Sequence, residues 1–118
     1  GLDYWDKLDV TVYSDFQDFL DRNPGAKIYM ATTKAPKTYT EVQYEPDCYI
    51  MFGKESAGIP EEILVEHKEN CVRIPMWGDI RSLNLSNSVA IVLYEALRQN
   101  GFEKMTMEGH LHHLHWKE

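Results

Sequence analysis

The sequence predicts an α/β fold with a mainly parallel sheet flanked by helices, and three observations carry that reading. Four short runs rich in apolar and β-favouring residues, at 10–13, 28–33, 48–52 and 71–75, have the length of strands. The second and third are nearly continuous rather than alternating, the pattern of strands covered on both faces. Helical signals fall between and after these runs, and strands alternating with helices build parallel sheets.

Each element has its own justification. After the run at 10–13, Ser14 is placed to cap a helix carrying Phe16, Phe19 and Leu20 on one face, closed by Asn23-Pro24-Gly25. The strand at 28–33 follows. Residues 33–49 are polar and include Pro36 and Pro46, so they read as a loop with at most one short helical turn. The strand at 48–52 leads into Gly58-Ile-Pro-Glu-Glu62, where proline near the first helical position and two carboxylates in the first turn open a second helix. Its apolar residues are Ile63, Leu64 and Val65. After the strand at 71–75 comes the strongest helix signal. Val89, Val92, Leu93, Ala96 and Leu97 recur at helical spacing, and Asn100-Gly101 ends the segment. Ile91 and Tyr94 widen the apolar face beyond the needs of one sheet contact, which suits a second partner such as another subunit. His110, His112, His113 and His115 fall in a short tail that reads as mobile and exposed rather than as a metal site. His67 reads as a surface residue.

Composition bounds the function. The 118 residues are 43% hydrophobic, 12% aromatic and 26% charged, which fits one globular domain over 1–118 and excludes disorder, with 103–118 as a peripheral tail. No apolar run approaches the ~18 residues of a membrane helix. Residues 1–15 contain Asp3, Asp6, Asp9 and Asp15 and do not read as a secretory signal. Cys48 and Cys71 each lie in an apolar run and read as buried free thiols in a reducing compartment. The net charge of −7 argues against a generic basic nucleic-acid binder.

Two segments could carry chemistry. Phe52-Gly-Lys-Glu-Ser-Ala-Gly-Ile-Pro60 runs from a strand through two glycines into a helix. Gly53 and Gly58 have the spacing that opens a phosphate-binding loop, but Ile59 and Pro60 stand where Lys and Ser/Thr are needed, and no G-x-G-x-x-G is present. What is left is a tight loop at the C-terminal edge of a parallel sheet, the usual ligand position in open α/β folds. A pure turn reading of its glycines is the stronger one on spacing alone. The second segment, from Ile74 to Asn87, crowds Ser82, Asn84, Ser86 and Asn87 at a helix start, where one cap suffices. Redundant caps and a hydrogen-bonded ligand explain that surplus equally well. Trp77, in the same segment, is open between stacking on a base and packing against its own loop. Arg81 suits a phosphate or an acid equally, and Glu55 is either functional or solvated.

These segments resemble the second and third motifs of the SpoU-type RNA 2′-O-methyltransferases of the SPOUT superfamily. Ile74-Pro-Met through Arg-Ser-Leu-Asn-Leu-Ser-Asn-Ser-Val-Ala-Ile91, continuing through Tyr94-Glu95-Ala96, is similar to the small single-domain subfamily that methylates the wobble nucleotide of tRNA, cytidine or uridine 34. Ala31-Thr-Thr-Lys34 matches the same subfamily, and the likeness reaches nearly to Phe102. The resemblance implies a deep C-terminal trefoil knot, contrary to the usual rule of unknotted chains. It implies S-adenosylmethionine as cofactor and S-adenosylhomocysteine as product. By position, the cofactor would be met by Ala31, Gly53, Ile74 and Ser82, with Met76 and Leu83 as neighbours. Glu55, Asn87 and Ser82 match positions that organise catalysis or the dimer. The implied partners are the anticodon stem-loop of tRNA and a second copy of the chain in a cytoplasmic homodimer, with no membrane and no metal.

One departure shapes the expectation. The family's first motif, an initial strand and helix holding RNA-contacting arginines and the main activating residue, has no counterpart here, and about fifty residues are missing against a typical single domain. The chain begins at Gly1, not Met. We therefore expect a C-terminal portion with impaired transfer, and the alternative is a non-catalytic knotted module for dimerisation or RNA binding.

Overall fold

A computed structural model describes residues 14–54, 57–80 and 83–117. The run at 10–13 expected as a strand lies outside the described residues, as do Glu55, Arg81 and Ser82. In chain order the elements are α1 (Phe16–Arg22), β1 (Ile28–Ala31), β2 (Tyr49–Phe52), α2 (Glu61–Val65), a 3₁₀ turn (Lys68–Asn70), β3 (Cys71–Val72) and α3 (Leu85–Gln99). The three strands form one parallel sheet in the order β2-β1-β3.

The central strand explains why the 28–33 run is almost wholly apolar. Ile28, Tyr29 and Met30 are all buried, and side chains alternate across a strand. Ile28 and Met30 enter one core with Ile59, Leu64 and Cys71, on which α1 and α2 pack. Tyr29 enters the other, with Val42, Tyr44, Val72, Val92 and Ala96. Both faces are therefore dry, as the continuous pattern implied.

Boundaries moved for identifiable reasons. The cap of α1 is Asp15, not Ser14. Its carboxylate accepts from the Asp18 amide at 2.8 Å, while the Ser14 amide donates to Asp18 at 3.0 Å. α2 starts only at Glu61, with Pro60 as its cap residue, and Val65 is exposed rather than on the apolar face. β3 stops at Val72 because the chain beyond β1 bends over and takes its place in the pairing. The Arg73 amide donates to the Lys37 carbonyl at 3.0 Å, and the Tyr39 amide to the Arg73 carbonyl at 2.8 Å. Cys71 is a buried free thiol, but Cys48 is only half-buried. Burial pushes both thiols above their ordinary value.

Residues 32–48 hold no helical turn. They form an ordered strap instead, with Ala35, Val42 and Tyr44 buried. The end of α3 pins this strap. Gln99 accepts from the Tyr44 amide at 2.9 Å and donates to the Val42 carbonyl at 3.0 Å. Asn100 donates to the Tyr44 carbonyl at 3.1 Å. Behind Gln99, the buried carboxylate of Glu95 accepts from Arg98 at 2.9 and 3.0 Å and from Gln99 at 2.8 Å.

Within α3, Val92 and Ala96 face the core as the spacing predicted, with Glu95 beside them. Val89 and Leu93, which the spacing put on the same face, are exposed at its edge, and Tyr94 is exposed farther round the helix.

Gln99→Ala removes three hydrogen bonds and leaves buried backbone groups of the strap unpaired, so denaturant unfolding should show a loss of about 2 kcal/mol. Hydrogen bonds from Arg98 and Gln99 hold the Glu95 carboxyl below its ordinary 4.5. Its contribution is fully present above that pH and fades as pH falls through the lower folded value. Glu95→Gln should accordingly flatten the acid side of the stability profile, read by melting temperature from pH 7 to pH 3.

Candidate functional site

A cavity of about 460 Å³ opens at the C-terminal edge of the sheet. Parallel strands place their C-terminal ends together, so three loops converge there. Ala31 ends β1 and continues into Thr32, Thr33 and Lys34. Phe52, Gly53 and Lys54 come from the end of β2, and Ile59 from the loop after it. Ile74 and Met76 follow β3. Leu83, Asn84, Leu85 and Ser88 form the wall at the start of α3.

The β2–α2 loop is folded back on itself. The Gly58 amide donates to the Lys54 carbonyl at 2.8 Å, and Gly58 takes a left-handed φ of +71°. Gly53 sits against this return. A Cβ added there would collide with the backbone of Gly58 and Ile59, and no flexible side chain is available to yield. Gly53 is therefore required by a backbone-to-backbone approach.

At the other wall, Asn84 caps α3 by accepting from the Ser86 amide at 2.8 Å. Of the surplus polar residues noted at this helix start, Asn84 is thus committed to the cap. A helix turns by about 100° per residue, so positions 84, 85 and 88 share the arc that lines the cavity. Asn87 falls off that arc and is exposed on the side of Tyr94.

Five positions singled out from the resemblance, Ala31, Gly53, Ile74, Met76 and Leu83, are brought to this one cavity. Asn87 is not among its lining residues, while Glu55 and Ser82 lie outside the described residues. Ser88 was not anticipated, although its place four residues after Asn84 was readable from the helical period. Lys54 was visible inside the loop motif but had no assigned role.

The cavity lining is mainly apolar and carries two cations. Lys34 and Lys54 are its charged described lining residues. Lys34 pairs with Glu61 at 2.9 Å, and that hydrogen bond holds the Glu61 carboxyl below its ordinary value. The apolar stretch is formed by Phe52, Ile59, Ile74, Met76 and Leu83, with the Thr32, Thr33 and Ser88 hydroxyls at intervals. A neutral planar ring would suit the apolar lining and a carboxylate one of the lysines. Among the described residues no group of three His, Cys, Asp or Glu is placed to hold a metal, and no helix is long and apolar enough to cross a membrane.

Comparison with known proteins adds an independent line. The model of the SpoU rRNA Methylase family matches residues 1–94. A Listeria monocytogenes protein, provisionally named a tRNA (cytidine(34)-2'-O)-methyltransferase, is 42% identical over 111 residues, spanning 92% of this chain and 66% of the relative. The Escherichia coli tRNA (cytidine(34)-2'-O)-methyltransferase is 42% identical over 103 residues, 86% of this chain and 66% of its own length. The chain thus spans just under two thirds of these relatives. A structure illustrating 2-OH methylation of C/U34 on tRNA superposes with a TM-score of 0.80 at 36% identity, covering 87% of this chain and 67% of that one. An AdoMet-bound rRNA methyltransferase from Sinorhizobium meliloti gives 0.59 at 30% identity, covering 70% and 33%.

Gly53→Val should cost about 1–3 kcal/mol by forcing the loop off the end of β2. Gly78→Val, where an added Cβ meets nothing within 4 Å, is the control and should leave urea unfolding nearly unchanged.

Proposed function

The chain belongs to the SpoU rRNA Methylase family, and from that premise we propose that it acts as an S-adenosylmethionine-dependent tRNA 2′-O-methyltransferase on the ribose of the wobble nucleotide. The observation that carries the proposal is the convergence of Ala31, Gly53, Ile74, Met76 and Leu83, from separate stretches of sequence, on one cavity. Its volume of about 460 Å³ falls in the range of small-molecule sites. Its mix of apolar walls, hydroxyls and lysines suits a nucleoside joined to an amino acid. The family relatives support the same reaction and substrate.

S-adenosylmethionine, when bound, supplies a methyl group on a positively charged sulfur. The residues of this chain would do the positioning, which is the main requirement of an in-line displacement. Ile74, Met76 and Leu83 would hold the adenine away from water. Gly53 keeps the return of the 53–59 loop close enough to form one wall. Lys34 and Lys54 would meet the carboxylate of the amino-acid part or the RNA outside it. The described lining places no carboxylate against the cavity.

A homodimer belongs to the same reading. Val89, Leu93 and Tyr94 leave an apolar side of α3 facing solvent, and Asn87 stands on that side. The pinning of the strap by Gln99 and Asn100 supports the knotted C-terminus implied by the resemblance, because it ties the last helix to a loop 55–57 residues earlier. On this reading the protein would meet its tRNA substrate in the cytoplasm.

Calorimetry with S-adenosylhomocysteine should show one site per chain. Met76→Trp, which fills the cavity from a half-buried position, should weaken binding by about tenfold or more, ~1.4 kcal/mol. Wild-type protein with no measurable binding would sink the cofactor site. Labelled methyl transfer to a tRNA transcript should mark the wobble ribose, and a product methylated elsewhere would overturn the substrate assignment.

A further inference from the structure

We propose that Trp77 is a stacking platform for an unpaired base of the RNA substrate at the mouth of the cavity, with Lys54 meeting the RNA backbone from the other outer strand. This rests on the methyltransferase reading and names residues of this chain that would receive its substrate.

Trp77 is 80% exposed. The sequence left it open between packing on its own loop and stacking on a base, and the structure removes the first option. No described ring or cation lies against it. An indole has a large apolar face whose exposure is unfavourable. The residue is nonetheless held in place, because the Ile80 amide donates to the Trp77 carbonyl at 2.9 Å and closes a turn. Its neighbour Met76 lines the cavity. The backbone that carries the indole is thus fixed one residue from the site where a ribose hydroxyl would arrive.

Lys54 supplies the charge. It lines the same cavity from the end of β2, and β1 lies between it and the segment after β3. Among the described residues no carboxylate is within ion-pairing distance of Lys54, whereas Lys34 and Lys37 are engaged by Glu61 and Glu69. Asp79 sits two residues beyond Trp77 on the same turn and disfavours a phosphate there. A neutral base on the indole and a phosphate on Lys54 satisfy both signs. A chain of net charge −7 has no diffuse basic field to attract RNA, so discrete contacts of this kind must provide the grip.

The test is titration of a fluorescein-labelled anticodon stem-loop RNA at several salt concentrations, with S-adenosylhomocysteine affinity and melting temperature measured separately. Trp77→Ala should weaken RNA binding by about tenfold, and Trp77→Phe should retain most of it. Lys54→Gln should lower the salt slope by about one. Cofactor affinity and melting temperature should not move with Trp77→Ala. Unchanged RNA affinity in Trp77→Ala, or a wild-type chain that binds no RNA, overturns the platform. So does a Trp77→Ala that lowers the dimer mass while RNA affinity holds, since the indole would then cover a second copy. Failure of S-adenosylhomocysteine binding with the RNA effects intact would instead remove the methyltransferase reading and leave the platform standing.

Discussion

Everything else in this molecule is placed by the burial of β1. Its three leading residues are almost fully shielded, with Met30 at 0% exposure, and strands flank it on both edges. A strand in that position has no free face. It can exist only if two separate cores form on either side of it. One is completed by α1 and α2, the other by the strap and α3. The register on β2 and β3 then brings the ends of all three strands to one edge, where the cavity opens.

The second constraint is polar. A strap of seventeen residues at 32–48 without helix or strand would ordinarily leave backbone groups unpaired. Here side-chain amides from the last turn of α3 answer them. Gln99 and Asn100 reach Val42 and Tyr44, and Glu95 orients Gln99 from behind. Hydrophobic contact between Val92, Ala96 and Tyr44 could slide by an ångström with little penalty. Directed hydrogen bonds to particular carbonyls cannot, so this network fixes where α3 lies. The start of α3 is a wall of the cavity, and the site geometry therefore depends on bonds made at the far end of the same helix.

Electrostatics divides the surface in a way that total charge conceals. The chain is acidic overall, yet Lys34 and Lys54 follow the C-terminal ends of β1 and β2 at the cavity. The acids that could neutralise them are unevenly placed. Glu61 engages Lys34 from the first turn of α2. Net charge reports on solubility and long-range attraction, while a binding site is decided by which pairs are formed within a few ångströms.

The sequence alone determined the class of fold and two of the three segments that build the site. Those features are written in local chemistry: a continuous apolar run for β1, dry on both faces where the equally continuous β2 stays partly exposed, a surplus of cap residues and helical spacing for α3, and glycines around a strand end. Motif positions such as Ala31, Gly53 and Ile74 came instead from the resemblance to the SpoU-type methyltransferases. Only the tertiary structure decided that 32–48 is a pinned strap, and that β3 ends at Val72 because that strap replaces it. It also decided that Glu95 is buried and that Trp77 is exposed. The physical reason is common to all of these. Each depends on which distant backbone group or empty space a side chain meets, and contacts between residues fifty positions apart leave no periodicity in the chain that carries them.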